Sequence, residues 1–242
     1  MTDKIDKNAA MTSLAKTLYL FEKEKGGVGS TGTLVTIAHM LMLRGTPVEF
    51  IEASTSQLDV FNAYGDHHEV HQLALTDADA SDRLIDLVAA APPGAAILAN
   101  VPGGRFEEMD EVHQLVGYAL ETGETDARVV IVWTMGMDAA SRITLDAMLD
   151  GAPPGPVWLN LPEWAGPPDK FVNIDDELLQ RIKGNGGCVF VTPKMPPHLY
   201  EKFRSEEVAI DRIAARPGTT IGNRAALGLW ERKVAQALGD IF

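Results

Sequence analysis

The sequence predicts an α/β fold: a doubly wound, mostly parallel sheet with helices on both faces. Short β-branched and apolar runs alternate with longer helical patterns along the chain. Several of these runs are apolar almost without a break, Val129-Val130-Ile131-Val132-Trp133 above all, as strands covered on both sides must be. A glycine-rich segment, residues 25–32, follows the first such run and opens a helical pattern.

In chain order, residues 1–15 read as a polar N-terminal extension and 16–242 as one domain. Strands are expected at Thr17–Glu22, Pro47–Ile51, Ala95–Asn100, Arg128–Thr134, Pro156–Leu161 and Gly187–Thr192. Helices are expected at Thr31–Arg44, Ser81–Ala91, Phe106–Thr122, Asp138–Leu149, Asp175–Lys183, Pro197–Ser205, Val208–Ala215 and Asn223–Leu238. Gly45, Gly123 and Gly239 stand where helix C-caps are wanted. The Pro/Gly-rich stretches Ala91–Gly94 and Gly151–Pro156 are too short to link domains, and no internal repeat is visible.

Composition narrows the function classes. With 242 residues, 45% hydrophobic and 23% charged, the chain can bury a substantial core and is not a disordered polymer. A formal net charge of -13 argues against a dominant nucleic-acid surface, which needs concentrated Lys and Arg. Cys188 is the only cysteine, so an intramolecular disulfide and an all-Cys zinc site are excluded. The apolar run Thr17–Phe21 is too brief for a signal-peptide core, and no stretch approaches the roughly 20 apolar residues of a membrane span. A cytoplasmic location is therefore expected.

In a doubly wound sheet, ligands bind beyond the carboxyl ends of the strands. Chemistry is to be sought in the segments that follow them, first in Glu24-Lys25-Gly26-Gly27-Val28-Gly29-Ser30-Thr31-Gly32-Thr33. Glycines there let backbone N–H groups converge on an anion, and the helix N-terminus adds positive potential. A ligand-free tight turn is the plainer alternative. Gly27-Val28-Gly29-Ser30-Thr31-Gly32 also matches G-x-G-x-x-G, and Glu52 ends the second strand where a ribose contact would lie. That would make the chain an NAD(P)-binding oxidoreductase using Gly27, Gly29, Gly32 and Glu52. Against it, Glu22–Gly26 lengthens the loop, and no Tyr-Lys or His-Asp pair suited to hydride chemistry stands out.

Lys25-Gly26-Gly27-Val28-Gly29-Ser30-Thr31 resembles the deviant Walker A motif K-G-G-x-G-K-[ST] of ParA, MinD and their relatives. The resemblance implies a P-loop NTPase-like fold holding ATP or ADP with Mg²⁺ through Lys25, Gly26, Gly27, Val28, Gly29, Ser30, Thr31 and Gly32. Lys25 would reach the phosphates of a partner subunit's nucleotide, which implies a homodimer, and the Thr31 hydroxyl would hold the metal. The family's second lysine is replaced by Ser30. Its Asp-x-Asp segment, which positions the attacking water, reads Glu52-Ala53-Ser54, leaving Glu52 as the catalytic acid. Its Asp before the Pro-Gly switch reads Asn100-Val101-Pro102-Gly103-Gly104. Val157-Trp158-Leu159-Asn160 looks like the strand that ends at the nucleotide base, and Asn160 and Pro193 are the implied contacts there. The segment Val191–Arg204 is similar to the plasmid-borne StbB/MobD-like stability and mobilisation proteins, and the likeness runs from the first strand to about Arg216. The implied activity is that of a dimerising positioning, partition or mobilisation adaptor with weak or absent ATPase. Its partners would be a nucleotide, a second copy and a plasmid-encoded protein, with indirect or weak DNA contact.

Other candidates read as structure. His67 and His71 are spaced i, i+4, as metal ligands on a helix would be, but no third ligand or paired acid accompanies them, so a solvated segment is expected. Cys188 reads as a small core residue in an apolar strand. Asp175-Asp176-Glu177 suits a helix N-terminus. Trp158, Trp164 and the stiff loop Leu161–Pro168 would pack on their own domain, or else form a wall for a base or a dimer contact. Lys202, Arg204, Arg212, Arg216, Arg224, Arg232 and Lys233 alternate with acids and read as a mixed-charge face.

Overall fold

The computed structural model describes residues 15–171, 173–239 and 241, so the expected N-terminal extension lies almost wholly outside the described residues. The elements run β1 (Thr17–Glu22), α1 (Ser30–Leu43), β2 (Val48–Glu52), α2 (Asp59–Tyr64), β3 (Val70–Gln72), α3 (Ala80–Ala90), β4 (Ala96–Asn100), α4 (Phe106–Thr122), β5 (Arg128–Thr134), α5 (Ala139–Gly151) and β6 (Val157–Asn160). They continue with a 3₁₀ turn (Pro168–Lys170), α6 (Asp176–Gly184), β7 (Cys188–Phe190), α7 (Pro197–Arg204), α8 (Ile210–Ile213) and α9 (Ile221–Leu238).

The strands form one seven-stranded sheet in the order β3-β2-β4-β1-β5-β6-β7. Every neighbouring pair is parallel. A parallel sheet needs a crossover between each pair of strands, and its helices must go to one face or the other. Strand alternation divides the core accordingly. Leu18 and Leu20 face one side with Ile97, Ile131 and Trp133, packed under helix residues Leu84, Val112, Leu145 and Ile182. Tyr19 and Phe21 face the other with Leu98, Val130 and Val132, under Leu34, Ile37, Leu199, Ile213 and Trp230. Helix α1 is buried nearly all round, and His39 Nε2 meets Glu231 Oε1 at 2.8 Å to tie it to α9.

The strand order bears on the glycine loop. In a dinucleotide-binding sheet of order 3-2-1-4-5-6, β1 lies beside β2. Here β4 lies between them. The chain leaves β1 toward β2 on one side and later crosses to β5 on the other, so the loop after β1 sits at the switch point where ligands bind. Register then lines up the strand ends: Phe21 opposite Asn100, Glu52 opposite Asn100, and Thr134 opposite Asn160.

Three expectations need correction. Residues 58–72 carry α2 and the short edge strand β3, neither of which the pattern foretold, because both are brief and mix polar with apolar residues. His67 therefore lies in the turn after α2 and His71 in β3, not on a shared helix face. His68 Nε2 meets Asp211 Oδ2 at 3.2 Å instead, and no His/Cys/Asp/Glu group able to hold a metal occurs among the described residues. Gly239 follows α9 with φ -57 and makes no left-handed cap, whereas Gly123 ends α4 at φ 76.

Candidate functional site

The loop from Lys23 to Gly29 links the buried end of β1 to the first turn of α1. Gly27 (φ 84) and Gly29 (φ 94) both hold left-handed backbone, a conformation closed to most side chains, and Gly29 is the residue at which α1 begins. The loop is also gripped from two sides. A Cβ on Gly103 would come within 2.5 Å of the Lys25 carbonyl carbon and 2.7 Å of Gly26 N, so the segment after β4 rests on the loop backbone. A Cβ on Gly29 would fall 2.2 Å from Trp164 Nε1, and that indole nitrogen donates to Val28 O at 3.2 Å.

Two cavities open at this edge of the sheet. One, of about 350 Å³, is polar and is lined by Lys23, Gly26–Gly32 residues, Ser54, Asp59, Asn100, Gly103 and Arg204. The other, of about 400 Å³, is largely apolar; it shares Gly27, Gly29, Gly32 and Tyr200 with the first, and its lining includes Thr36, Trp164 and Met195.

The strand ends supply a chain of polar contacts beneath the polar cavity. Thr31 Oγ1 donates toward Asn100 Oδ1 at 3.4 Å, and Asn100 Nδ2 donates to Glu52 Oε1 at 2.8 Å. Glu52 Oε2 accepts from Val60 N at 3.1 Å at the start of α2. Glu52 is fully buried, and burial pushes its carboxyl up to about 7, against the lowering effect of the Asn100 amide and the Val60 N–H. Glu22, which ends β1, holds His113 Nε2 of α4 at 2.7 Å. Burial opposes a charge on His113, but the Glu22 carboxylate outweighs it and raises the imidazole above its usual range.

The charged residues of the loop are divided. Lys25 is exposed and pairs with Asp138, whose other oxygen caps α5 by accepting from Ser141 N at 3.1 Å. Lys23 is half-buried and donates Nζ to Val101 O at 2.6 Å; desolvation lowers its ammonium to about 8, against the pull of Glu52 and Glu22. Ser30 is buried and its hydroxyl turns back to Phe21 O at 3.5 Å, so it brings no charge to the cavity.

The remaining residues singled out in the sequence are placed as follows. Gly26, Gly27, Gly29, Ser30, Thr31 and Gly32 all line the polar cavity, and Val28 holds Trp164 through its carbonyl. Asn160 is buried under the loop: Nδ2 donates to Thr33 Oγ1 at 2.6 Å, and Oδ1 accepts from Thr192 N at 3.2 Å and Thr192 Oγ1 at 2.8 Å. These bonds lock β6 to α1 and β7. Pro193 is buried beside it, with its carbonyl accepting from Trp230 Nε1 at 3.3 Å. Neither Lys23 nor Arg204 is among the site residues the sequence suggested; Lys23 opens the loop itself, and the fold brings Arg204 to it.

The donor set suits a phosphorylated ligand with a hard cation. Left-handed glycines ahead of a helix start are the backbone type from which anion cradles are built. Thr31 Oγ1 and Asn100 Oδ1 are oxygen ligands of the type Mg²⁺ accepts when phosphates and water complete its shell.

Sheet order and loop together define an α/β fold of the P-loop NTPase-like type. Along nearly its whole length the sequence is similar to Protein MobD of Acidithiobacillus ferrooxidans, 25% identical over 230 residues that cover 95% of this chain and 99% of the other. Among solved structures, the MinD cell division protein of Aquifex aeolicus aligns over 91% of this chain and 97% of its own, with 16% identity and a TM-score of 0.46. The septum site-determining protein MinD of Pyrococcus horikoshii, complexed with Mg-ADP, aligns over 90% and 96%, with 15% identity and a TM-score of 0.48. No protein-family model matches the chain. Among the described residues no helix is long and apolar enough to cross a membrane.

Proposed function

We propose that this chain binds ATP or ADP at the glycine loop and acts as a dimerising, nucleotide-responsive adaptor of the plasmid stability or mobilisation type, with weak or absent ATPase activity. The observation that carries the reading is the pair of left-handed glycines, Gly27 and Gly29, between β1 and the buried helix α1, facing a polar cavity at the switch point of the sheet. Phosphates lie against residues 26–32, Thr31 and Asn100 supply oxygens to Mg²⁺, and the apolar cavity beside Trp164 receives the base. Lys25, exposed at the mouth, reaches a second subunit on dimerisation. Hydrolysis is slow because phosphoryl transfer needs cations on the phosphates and a well-held metal. Here position 30 is a serine, and an amide and a serine stand at Asn100 and Ser54. The full-length likeness to MobD supports the mobilisation-type role.

Isothermal titration with ATP, ADP and GTP in the presence of Mg²⁺, paired with light scattering with and without ATP, tests the reading. Binding of an adenine nucleotide and a shift of mass toward a dimer are expected; no binding at millimolar nucleotide removes the proposal.

A further inference from the structure

A phosphate cradle made of backbone amides still needs positive side chains to balance a polyphosphate. The loop's own candidates do not provide them in the folded chain: Ser30 is uncharged and turned inward, and Lys25 is engaged with Asp138. Two other cations line the polar cavity. Lys23 follows β1 directly, its ammonium held by the Val101 carbonyl, and Arg204 ends α7. Among the described residues neither forms an ion pair with a carboxylate, whereas Lys202 and Arg216, on and near the same helix, are both engaged with Glu206. In a chain of formal net charge -13, two cations that line one cavity together with the loop glycines favour an anion there, against the single carboxylate of Asp59 on the same lining.

We infer that Lys23 and Arg204 are the phosphate-pairing residues of this site, Lys23 from the base of the loop and Arg204 from the end of α7, in place of a cation at position 30. This inference rests on the nucleotide reading. Lys23 is already desolvated and fixed by one carbonyl, so little ordering remains to be done when an anion arrives. Arg204 sits at the end of α7, the helix that also contributes Tyr200 to both cavities.

The test uses the full chain and two probes, Mg²⁺–ATP and inorganic pyrophosphate, in titration calorimetry with the wild type, Lys23→Met, Lys23→Arg and Arg204→Gln. Thermal melting accompanies each variant, and Arg204→Gln, at an exposed site, guards against a Lys23 variant that fails to fold. Losing a charge-assisted hydrogen bond predicts affinities about ten- to a hundredfold weaker for both probes in Lys23→Met and Arg204→Gln, with Lys23→Arg near wild type. Wild-type affinity also falls between pH 7.5 and 9 as Lys23 loses its proton, and Lys23→Arg removes that fall. Unchanged binding in folded Lys23→Met and Arg204→Gln overturns the assignment and leaves the nucleotide reading standing. A wild type that binds neither probe at millimolar concentration overturns both.

Discussion

Asn100 donates its amide to Glu52 at 2.8 Å and turns its remaining oxygen toward the Thr31 hydroxyl 3.4 Å away. One side chain thus joins the buried end of β2 to the first turn of α1. It also sets the Glu52 carboxyl behind the cavity floor instead of on its surface, where the N–H of Val60 holds the second oxygen.

Burial keeps Glu52 protonated in the folded chain up to about pH 7, while an unfolded glutamate ionises near 4.5. A carboxyl whose folded pKa is raised contributes stability that is full below the unfolded value and is lost as pH rises through the folded one. Unfolding free energy should therefore fall by at most about 3 kcal/mol between pH 4.5 and 8 on account of this residue. The Glu22–His113 pair adds a slope of the same sign, which a difference measurement cancels. In urea titrations, Glu52→Gln should gain on the wild type steadily as pH rises from 5 to 8. A gap that stays constant with pH would mean that Glu52 is ionised in the folded state.

The loop glycines differ in what they tolerate. Gly103→Ala forces a methyl against the Lys25–Gly26 backbone, and Gly29→Ala adds a strained φ to a clash with Trp164. Each should cost about 1–3 kcal/mol or displace the loop. Gly26→Ala meets nothing within 4 Å and should fall within about 0.5 kcal/mol of the wild type. Melting temperatures of the three variants check the ranking, and equal melting of all three would contradict the close packing described.

Trp133, Trp158 and Trp230 are buried, whereas Trp164 is partly exposed and lines the apolar cavity. Nucleotide binding should change the fluorescence of the wild type and leave Trp164→Phe almost silent. A signal that survives in Trp164→Phe would place the bound base elsewhere.

Lys25 is exposed and paired only at the surface, so Lys25→Ala should leave the melting temperature of the monomer unchanged. If it reaches a second subunit, the variant should still bind ATP and yet fail to dimerise, as read by light scattering. Dimerisation equal to wild type would remove that role.

Ser30→Lys should tighten ATP binding without restoring rapid turnover, because Asn100 and Ser54 still lack carboxylates to hold the metal and the water. Phosphate release at wild-type-like low rates alongside improved affinity is the expected pair of results. Fast hydrolysis would show that lysine at position 30 was the sole deficit.

The alternation of apolar runs and helical patterns made the two-sided sheet legible, and the strand–glycine–helix context made the anion loop legible, since both are local properties of the chain. Residues 58–72 were not legible: α2 spans six residues and β3 three, each too short to show a period, and β3 forms only because β2 offers it an edge.

What the sequence determined by itself was therefore the class of fold, the site of the loop and the departures at Ser30, Ser54 and Asn100. These depend on residue type and on spacing over a few turns. Tertiary structure alone decided that β4 separates β1 from β2, that Glu52 and Asn160 are buried, and that Trp164 and Arg204 meet the loop. Those outcomes join residues from about fifty to more than a hundred positions apart, and only the packing of helices across a parallel sheet brings such distant side chains to one edge.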